Sequence, residues 1–432
     1  MPVGSSNFSK TTKVLLIILV LMFAVFLSAA YFVYGFRISY APSTNAPLTQ
    51  EGMNTDAAAV PPVADPALSF VQLPAGFRIN TFLEFGGSFI SNPGPNSGAR
   101  MMAYKDGVLY ISLTKQGKVI AAKGADGVGH VTSVTTFIAN QKNPHGLVWN
   151  GEWLYIALED KLIRVKDADH NLQADMDTLQ TIAPLPSGGH FTRTVSIHDG
   201  RAYVSVGSSC NVCNEKDAER AAVLECDLEP TSSGGKGCAI FAKGLRNSVG
   251  IAWRGDALYG TDNGRDLLGN NLPPEEVNII ERGRDYGWPN CYGNKVPDKK
   301  FNAVASCDKT IAPVATMPAH IAPLGLRFFE RGAGSVWPKE YANNLFVASH
   351  GSWNRTPADG YRIYRIIFEN GPPSTLAEAA AHPSKTEIFV DGFLSNAGLV
   401  RGRPVDILFV GDSMFVSDDN QNKIYRIFFG GK

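Results

Sequence analysis

MMAYKDGVLYISL, residues 101–113, is a short apolar strand, an Asp-Gly turn and a second strand with a tyrosine at its centre. The same phrase returns as LVWNGEWLYIAL (147–158), VSIHDGRAYVSVG (195–207), IAWRGDALYGTDNG (251–264) and ILFVGDSMFVSDD (407–419). A looser copy, RFFERGAGSVWPKEYANNLFVASHG, occupies 327–351. Each reads as a β-hairpin, with alternating apolar positions around a turn of Gly, Asp or Asn. The central aromatics are Tyr110, Tyr155, Tyr203, Tyr259, Phe346 and Phe415, at spacings of 45, 48, 56, 87 and 69. Those intervals suit four-stranded blades carrying insertions. A lone blade leaves both faces uncovered and must stack on its neighbours in a ring. The expectation is therefore an all-β, six-bladed β-propeller with four-stranded blades over residues 70–432; a sandwich of loose hairpins is the competing architecture. The widest interval predicts a large insertion over 265–320, forming a cap or rim beside the hub.

Working outward, residues 14–36 (VLLIILVLMFAVFLSAAYFVYGF) carry no charge over 23 positions, enough for a helix to cross a hydrocarbon layer about 30 Å thick. Lys10 and Lys13 precede it and predict a cytoplasmic N-terminus, residues 1–13, with the remainder on the far side. A signal peptide, cleaved or not, competes with the transmembrane anchor, since Ser28-Ala29-Ala30 resembles a cleavage site. Either reading exports the domain, giving a periplasmic or extracellular location. Residues 37–69 read as a flexible linker rich in Ala, Pro, Ser and Thr. Forty basic residues balance forty acidic ones, so no global field draws the chain to nucleic acid. Export makes disulfides available to the six cysteines. Cys226 with Cys238 and Cys291 with Cys307 are plausible local pairs. Cys210-x-x-Cys213 fits a tight disulfide, half a zinc site or a redox pair, and Asn214 in place of His argues against haem attachment.

If the first strand of each phrase is innermost, the residues just before it converge on the central channel. Counting back 10 to 13 positions from each aromatic gives Arg100, His145, His190 with Arg193, Arg246 with Asn247, and Arg403, with Arg401 just upstream. Singly, each has an ordinary reading as a turn or solvated residue. Together, unpaired cations at one place repel and call for an anionic ligand.

SGGHFTR (187–193), GLRNSVGIAW (244–253), DNGRDLLGNNLPPEEVN (262–278), DYGWP (285–289), HGSWNR (350–355) and RGRPVD (401–406) together resemble the soluble quinoprotein sugar dehydrogenases. SSCNVC (208–213) and HGSWNR resemble the L-sorbosone and aldose dehydrogenase branch most. The resemblance runs from about Leu73 to Ile427, in order. It implies pyrroloquinoline quinone (PQQ), a tricarboxylate, and Ca2+ as cofactors. It also implies His190 as the base for a sugar C1 hydroxyl or aldehyde hydrate, and Arg246 as the group polarising the quinone carbonyl. Asn247, Arg401 and Arg403 would bind the cofactor, and backbone carbonyls of Gly264 and Arg265 would hold the metal. Where the family's glucose enzymes place a lysine, this chain offers Arg355 or His350. Arg100 and Arg193 join as further cofactor-binding cations. Asp262, Glu275 and Glu276 read as solvent-facing, with a second calcium site as the alternative. The implied partners are a small sugar, a quinone or cytochrome acceptor and the membrane. A calcium-dependent lactonase and a non-catalytic glycan- or protein-binding propeller are the competing functions; the first needs carboxylates and Asn in the channel, where the count gives Arg and His.

Overall fold

The computed structural model describes residues 65–86, 89–90, 98–125, 131–230, 237–301 and 307–431. Six four-stranded antiparallel sheets make up the propeller, and one two-stranded hairpin stands apart from them. The first strands of the blades are Met102–Lys105, Leu147–Asn150, Val195–His198, Ile251–Arg254, Pro323–Phe328 and Pro404–Val410. Each neighbours the next, and the sixth returns to the first, so the hairpin phrase does lead with the innermost strand. Met101, Val249, Leu324 and Val405 pack together there as an apolar plug.

The second strands carry the repeated aromatics and are buried on both sides, completely so in Val108–Leu113, Ala257–Asp262 and Ser413–Asp418. The aromatic locks its blade onto the next. Tyr110 meets Trp149 edge to face at 5.0 Å, Tyr203 meets Trp253 at 4.9 Å, and Tyr259 meets Phe328 at 4.8 Å. In each case the partner lies on the following blade's first strand. Such contacts add about 0.5–1.5 kcal/mol beyond area burial, which explains why the phrase keeps its aromatic while its loops vary.

The ring closes with a strand that carries no phrase. Phe77–Glu84 pairs antiparallel with Lys423–Phe429 and completes the sixth blade from the N-terminal side. Phe77 meets Trp337, Tyr341 and Phe389 of the fifth blade at 4.6–5.1 Å. The degenerate fifth phrase is a complete blade, its turn lengthened around the fully buried Trp337.

The span 265–320 is not one insertion. Glu275–Ile279 and Ala315–Met317 are the third and fourth strands of the fourth blade. Extra chain lies on either side of Glu275–Ile279, and the Cys291–Tyr292/Val296–Pro297 hairpin belongs to it. All six cysteines are paired, as Cys210–Cys213, Cys226–Cys238 and Cys291–Cys307, so the CxxC is a tight disulfide and its zinc-site reading falls away. The apolar stretch 14–36, the N-terminus before it and most of the linker lie outside the described residues. Among those described, no helix is long and apolar enough to cross a membrane.

Candidate active site

His190 ends the turn Ser187-Gly188-Gly189. Gly188 and Gly189 take φ of +88° and +64°, where L side chains are strained, and a Cβ on Gly189 would lie 2.5 Å from the Ser209 Cα. Three charged side chains hold the turn. Glu159 accepts from Ser187 Oγ at 2.7 Å, Gly188 N at 2.8 Å and Asn143 Nδ2 at 2.6 Å. Arg193, fully buried, donates to the carbonyls of Pro186, His190 and Thr192. Arg220 donates to those of Ser187 and Gly188. Arg193 is thus committed to the turn's own backbone, and the expectation that it faces a cofactor is corrected.

The imidazole of His190 has one defined tautomer. Its Nδ1 lies 2.9 Å from the Ser208 carbonyl and 3.0 Å from Ser208 Oγ; a carbonyl only accepts, so Nδ1 carries the proton and Nε2 keeps its lone pair. Burial, then the Arg246 charge, pushes its pKa down to about 4. Nε2 is therefore an unprotonated acceptor at neutral pH.

Arg246 is fixed along its length. Its Nε donates to Asn211 O at 2.8 Å, Nη1 to Asn263 O at 3.1 Å, and Nη2 to Asn211 Oδ1 at 3.0 Å and Asp266 Oδ2 at 3.1 Å. Asp262 sits behind it and accepts from the backbone N–H groups of Arg246 and Asn247 at 2.9 and 2.7 Å. Gly207 lets Asn247 and His190 approach each other: a Cβ there would lie 2.6 Å from Asn247 Oδ1 and 2.6 Å from His190 Cβ. This is a cradle that only glycine leaves open.

On the other side of the hub, Asp419 is fully buried between Arg100 at 2.5 Å and His350 at 2.8 Å. Burial raises its pKa, but His350 and Arg100 pull harder and leave it below the ordinary carboxylate range. His350 Nε2–H donates to Asp419, which leaves Nδ1 to accept from Arg403 Nη1 at 3.3 Å. Arg403 also donates to Tyr361 Oη at 3.3 Å and lies over the Tyr361 ring at 4.9 Å.

These pairings correct the premise that the hub cations stand unpaired: Asp419 serves Arg100, and Asp266 serves Arg246. Among the described residues Arg403 has no carboxylate partner. Of the two replacements for the family lysine, the structure brings His350 to Arg403. The Arg355 guanidinium is taken up by Ala319 O at 2.9 Å and Asp359 at 3.4 Å. Arg401 does not join the group either; it packs over Phe70 at 5.0 Å and lines a shallow cavity with Leu394 and Leu399. His145 is buried at the hub, its Nδ1 on Arg193 O at 3.0 Å.

Asp262, Glu275 and Glu276 do not face solvent. All three are buried, and burial pushes their pKa values up to about 7, 8 and 8. Their oxygens accept N–H groups: Glu275 holds Gly264 N at 2.7 Å and Glu276 holds Gly293 N at 2.7 Å. Glu275 thereby fixes the loop of Gly264 and Arg265. The Arg265 side chain is turned onto Asp298 at 2.9 Å, while the carbonyls of Gly264 and Arg265 accept no hydrogen bond from the described residues and suit a hard cation.

Counting back from the aromatics found His190, Arg246 and Arg403 but missed what holds them. Counting forward four finds Thr114, Glu159, Gly207, Asn263, His350 and Asp419. That second set contains the cradle glycine and two of the buried acids, Glu159 and Asp419.

The TrAA12-like family model matches residues 98–428. An uncharacterised protein of Borreliella burgdorferi is 30% identical over 386 residues, 85% of this chain and 93% of its own. A pyrroloquinoline quinone-dependent pyranose dehydrogenase of Coprinopsis cinerea is 26% identical over 377 residues, 73% of this chain; the match spans half of that protein. Its quinone domain, solved in holo form, superposes with a TM-score of 0.66 at 22% identity, covering 83% of this chain and 97% of that one. A calcium structure of a Trichoderma reesei family AA12 enzyme gives 0.68 at 19%, with the same coverage.

Proposed function

The chain belongs to the TrAA12-like family, and on that premise we propose that it is a quinone-dependent sugar dehydrogenase that oxidises the C1 hydroxyl of a sugar using PQQ. The observation that carries the reading is the His190–Arg246–Asn247 group: a neutral imidazole with a free Nε2 beside a fixed guanidinium, on a glycine cradle.

The site fits a tricarboxylate quinone. Arg403 brings a guanidinium that, among the described residues, has no carboxylate partner and is held by His350 and Tyr361, and guanidinium forks match carboxylates. Arg100 neutralises Asp419, the carboxylate on which His350 rests, so that the Arg403 charge is left for the ligand, and Asn247 supplies an amide. When bound, the quinone supplies the two-electron acceptor for the hydride leaving C1. His190 Nε2 takes the hydroxyl proton, and Ser208 keeps its ring in the required tautomer. Arg246 holds positive charge where negative charge develops, without reorganising, because four hydrogen bonds already fix it. Ca2+ would sit on the Gly264 and Arg265 carbonyls, which Glu275 positions.

The carboxylates at the hub do not favour the lactonase reading, because Asp419 and Asp266 are paired with Arg100 and Arg246 and Glu159 holds the His190 turn. Asp262, Glu275 and Glu276 direct oxygens at backbone N–H groups. Among the described residues, the acidic and imidazole groups that gather elsewhere are half-buried His198 with exposed Asp199 and Asp256, or include the disulfide-bonded Cys210 and Cys213.

We also propose that residues 14–36 anchor the propeller on the exported side of a membrane, with electrons passing to a membrane quinone or cytochrome. Three disulfides and no free cysteine support an oxidising compartment. Apoprotein titrated with PQQ and Ca2+ should gain dye-linked oxidation of aldoses or aldehyde hydrates such as sorbosone. Absence of quinone binding in an absorbance titration would overturn the assignment.

A further inference from the structure

Trp353 is 71% exposed, in a molecule whose other five tryptophans are buried or partly covered. Its segment is not loose. Gly351 N donates to Ile321 O at 2.9 Å and Ser352 N to Asp359 O at 2.9 Å. A Cβ on Gly351, whose φ is +104°, would strike the Tyr361 ring at 2.4 Å. The two neighbours of Trp353 are each tied to one half of the active site. Ser352 O accepts from Tyr361 Oη at 2.6 Å, and that same hydroxyl accepts from Arg403. Asn354 Nδ2 donates to Asp266 Oδ1 at 3.1 Å, and the other oxygen of Asp266 holds Arg246. An exposed indole is thus strung between the Arg403 and Arg246 anchors.

A second apolar side chain shares this rim. Leu267, next to Asp266, is 71% exposed at a φ of +64°, which non-glycine residues rarely adopt. Its loop is bound to the Trp353 loop by a reciprocal pair: Asn270 Nδ2 donates to Thr356 O at 2.7 Å, and Thr356 N to Asn270 Oδ1 at 3.2 Å. Rigid backbone on both loops, strain on one of them and two large apolar groups left in water mark a surface built for a ligand.

We propose that Trp353, with Leu267 on the adjoining loop, is the stacking platform for the ring of a pyranose substrate. This rests on the sugar dehydrogenase reading and deepens it. A pyranose has an apolar C–H face that an indole can cover while its hydroxyls reach polar groups; an open-chain aldehyde has no such face. The substrate class is then the cyclic sugar at its anomeric hydroxyl, rather than a small aldehyde hydrate.

Holoenzyme carrying Trp353→Ala should show KM for aldopyranoses raised about tenfold with kcat changed less than about twofold, the size of one aromatic contact. Trp353→Phe should restore KM, and PQQ affinity and KM for a short open-chain aldehyde should not move. In the apoprotein, a methyl pyranoside, whose C1 oxygen is blocked, should shift tryptophan emission in the wild type and not in Trp353→Ala. Unchanged KM in Trp353→Ala, or a parallel loss of kcat and PQQ binding, would overturn the platform. If the wild type binds PQQ yet oxidises no sugar, the dehydrogenase reading fails, and the emission titration still decides the platform by itself.

Discussion

At the scale of single residues, His190 is tuned by its surroundings. An imidazole whose pKa falls to about 4 from the ordinary 6.5 stays neutral through the working range. The unfolded chain then binds the extra proton first, so this group removes stability as pH falls from 6.5 towards 4. An NMR titration of the apoprotein should place His190 near 4, and an ordinary value would refute the burial argument. His190→Ala should leave PQQ binding intact and lower kcat by roughly 10²–10⁴. Glu276 runs the other way: its raised pKa of about 8 gives stability at low pH that is lost as pH rises through 8. Glu276→Gln keeps the shape and the acceptor for Gly293 N, and a flip of the Asn278 amide, whose Nδ2 donates to Glu276 Oε2 at 3.1 Å in the wild type, lets the new amide donate to the otherwise unpartnered Asn278 Oδ1. Its melting temperature should exceed the wild type's at pH 8.5 and not at pH 5, as scanning calorimetry would show. Sequence revealed the cations and imidazoles at the hub because the aromatic repeat fixes their offsets. It concealed Asp266 and Asp419, because an exposed acid and a buried one read alike until an arginine is seen against them.

At the scale of elements, the hairpin phrases were legible because alternation and turn residues survive in all six. Glu275–Ile279, sequence EEVNI, was hidden inside a supposed insertion. Two adjacent glutamates look solvated, and the donors that reach them, the backbone N–H groups of Gly264, Gly293 and Ala322 and the Asn278 amide, make their burial tolerable. Phe77–Glu84 was hidden because it pairs with the far end of the chain. The segment joining the third blade's strands contributes the cradle at Gly207. Gly207→Ala should separate His190 from Asn247, since its Cβ meets both at 2.6 Å. Weaker PQQ binding by about tenfold with the β-sheet circular dichroism unchanged is the expected result, the loss of one or two hydrogen bonds to a charged ligand.

At the scale of the whole molecule, the closing strand makes stability a property of the ring. Phe77 locks the sixth blade to the fifth through Trp337, Tyr341 and Phe389, and its strand covers the edge of Lys423–Phe429, so that the ring keeps only short, protected edges. Deleting 1–84 should yield aggregation in size-exclusion chromatography. Deleting 1–36 should leave a folded propeller and, under the anchor proposal, shift it from the membrane to the soluble fraction. The hub serves the same economy of design: one ring of loops gathers a neutral base, a fixed arginine and one that, among the described residues, has no carboxylate partner. Mixing PQQ-loaded enzyme anaerobically with an aldopyranose and following the quinone absorbance tests that arrangement most directly. The account predicts rapid reduction in the wild type and, in His190→Ala, a cofactor that is bound but stays oxidised. Equal reduction rates in the two proteins, or no reduction in the loaded wild type by any aldose, would contradict it.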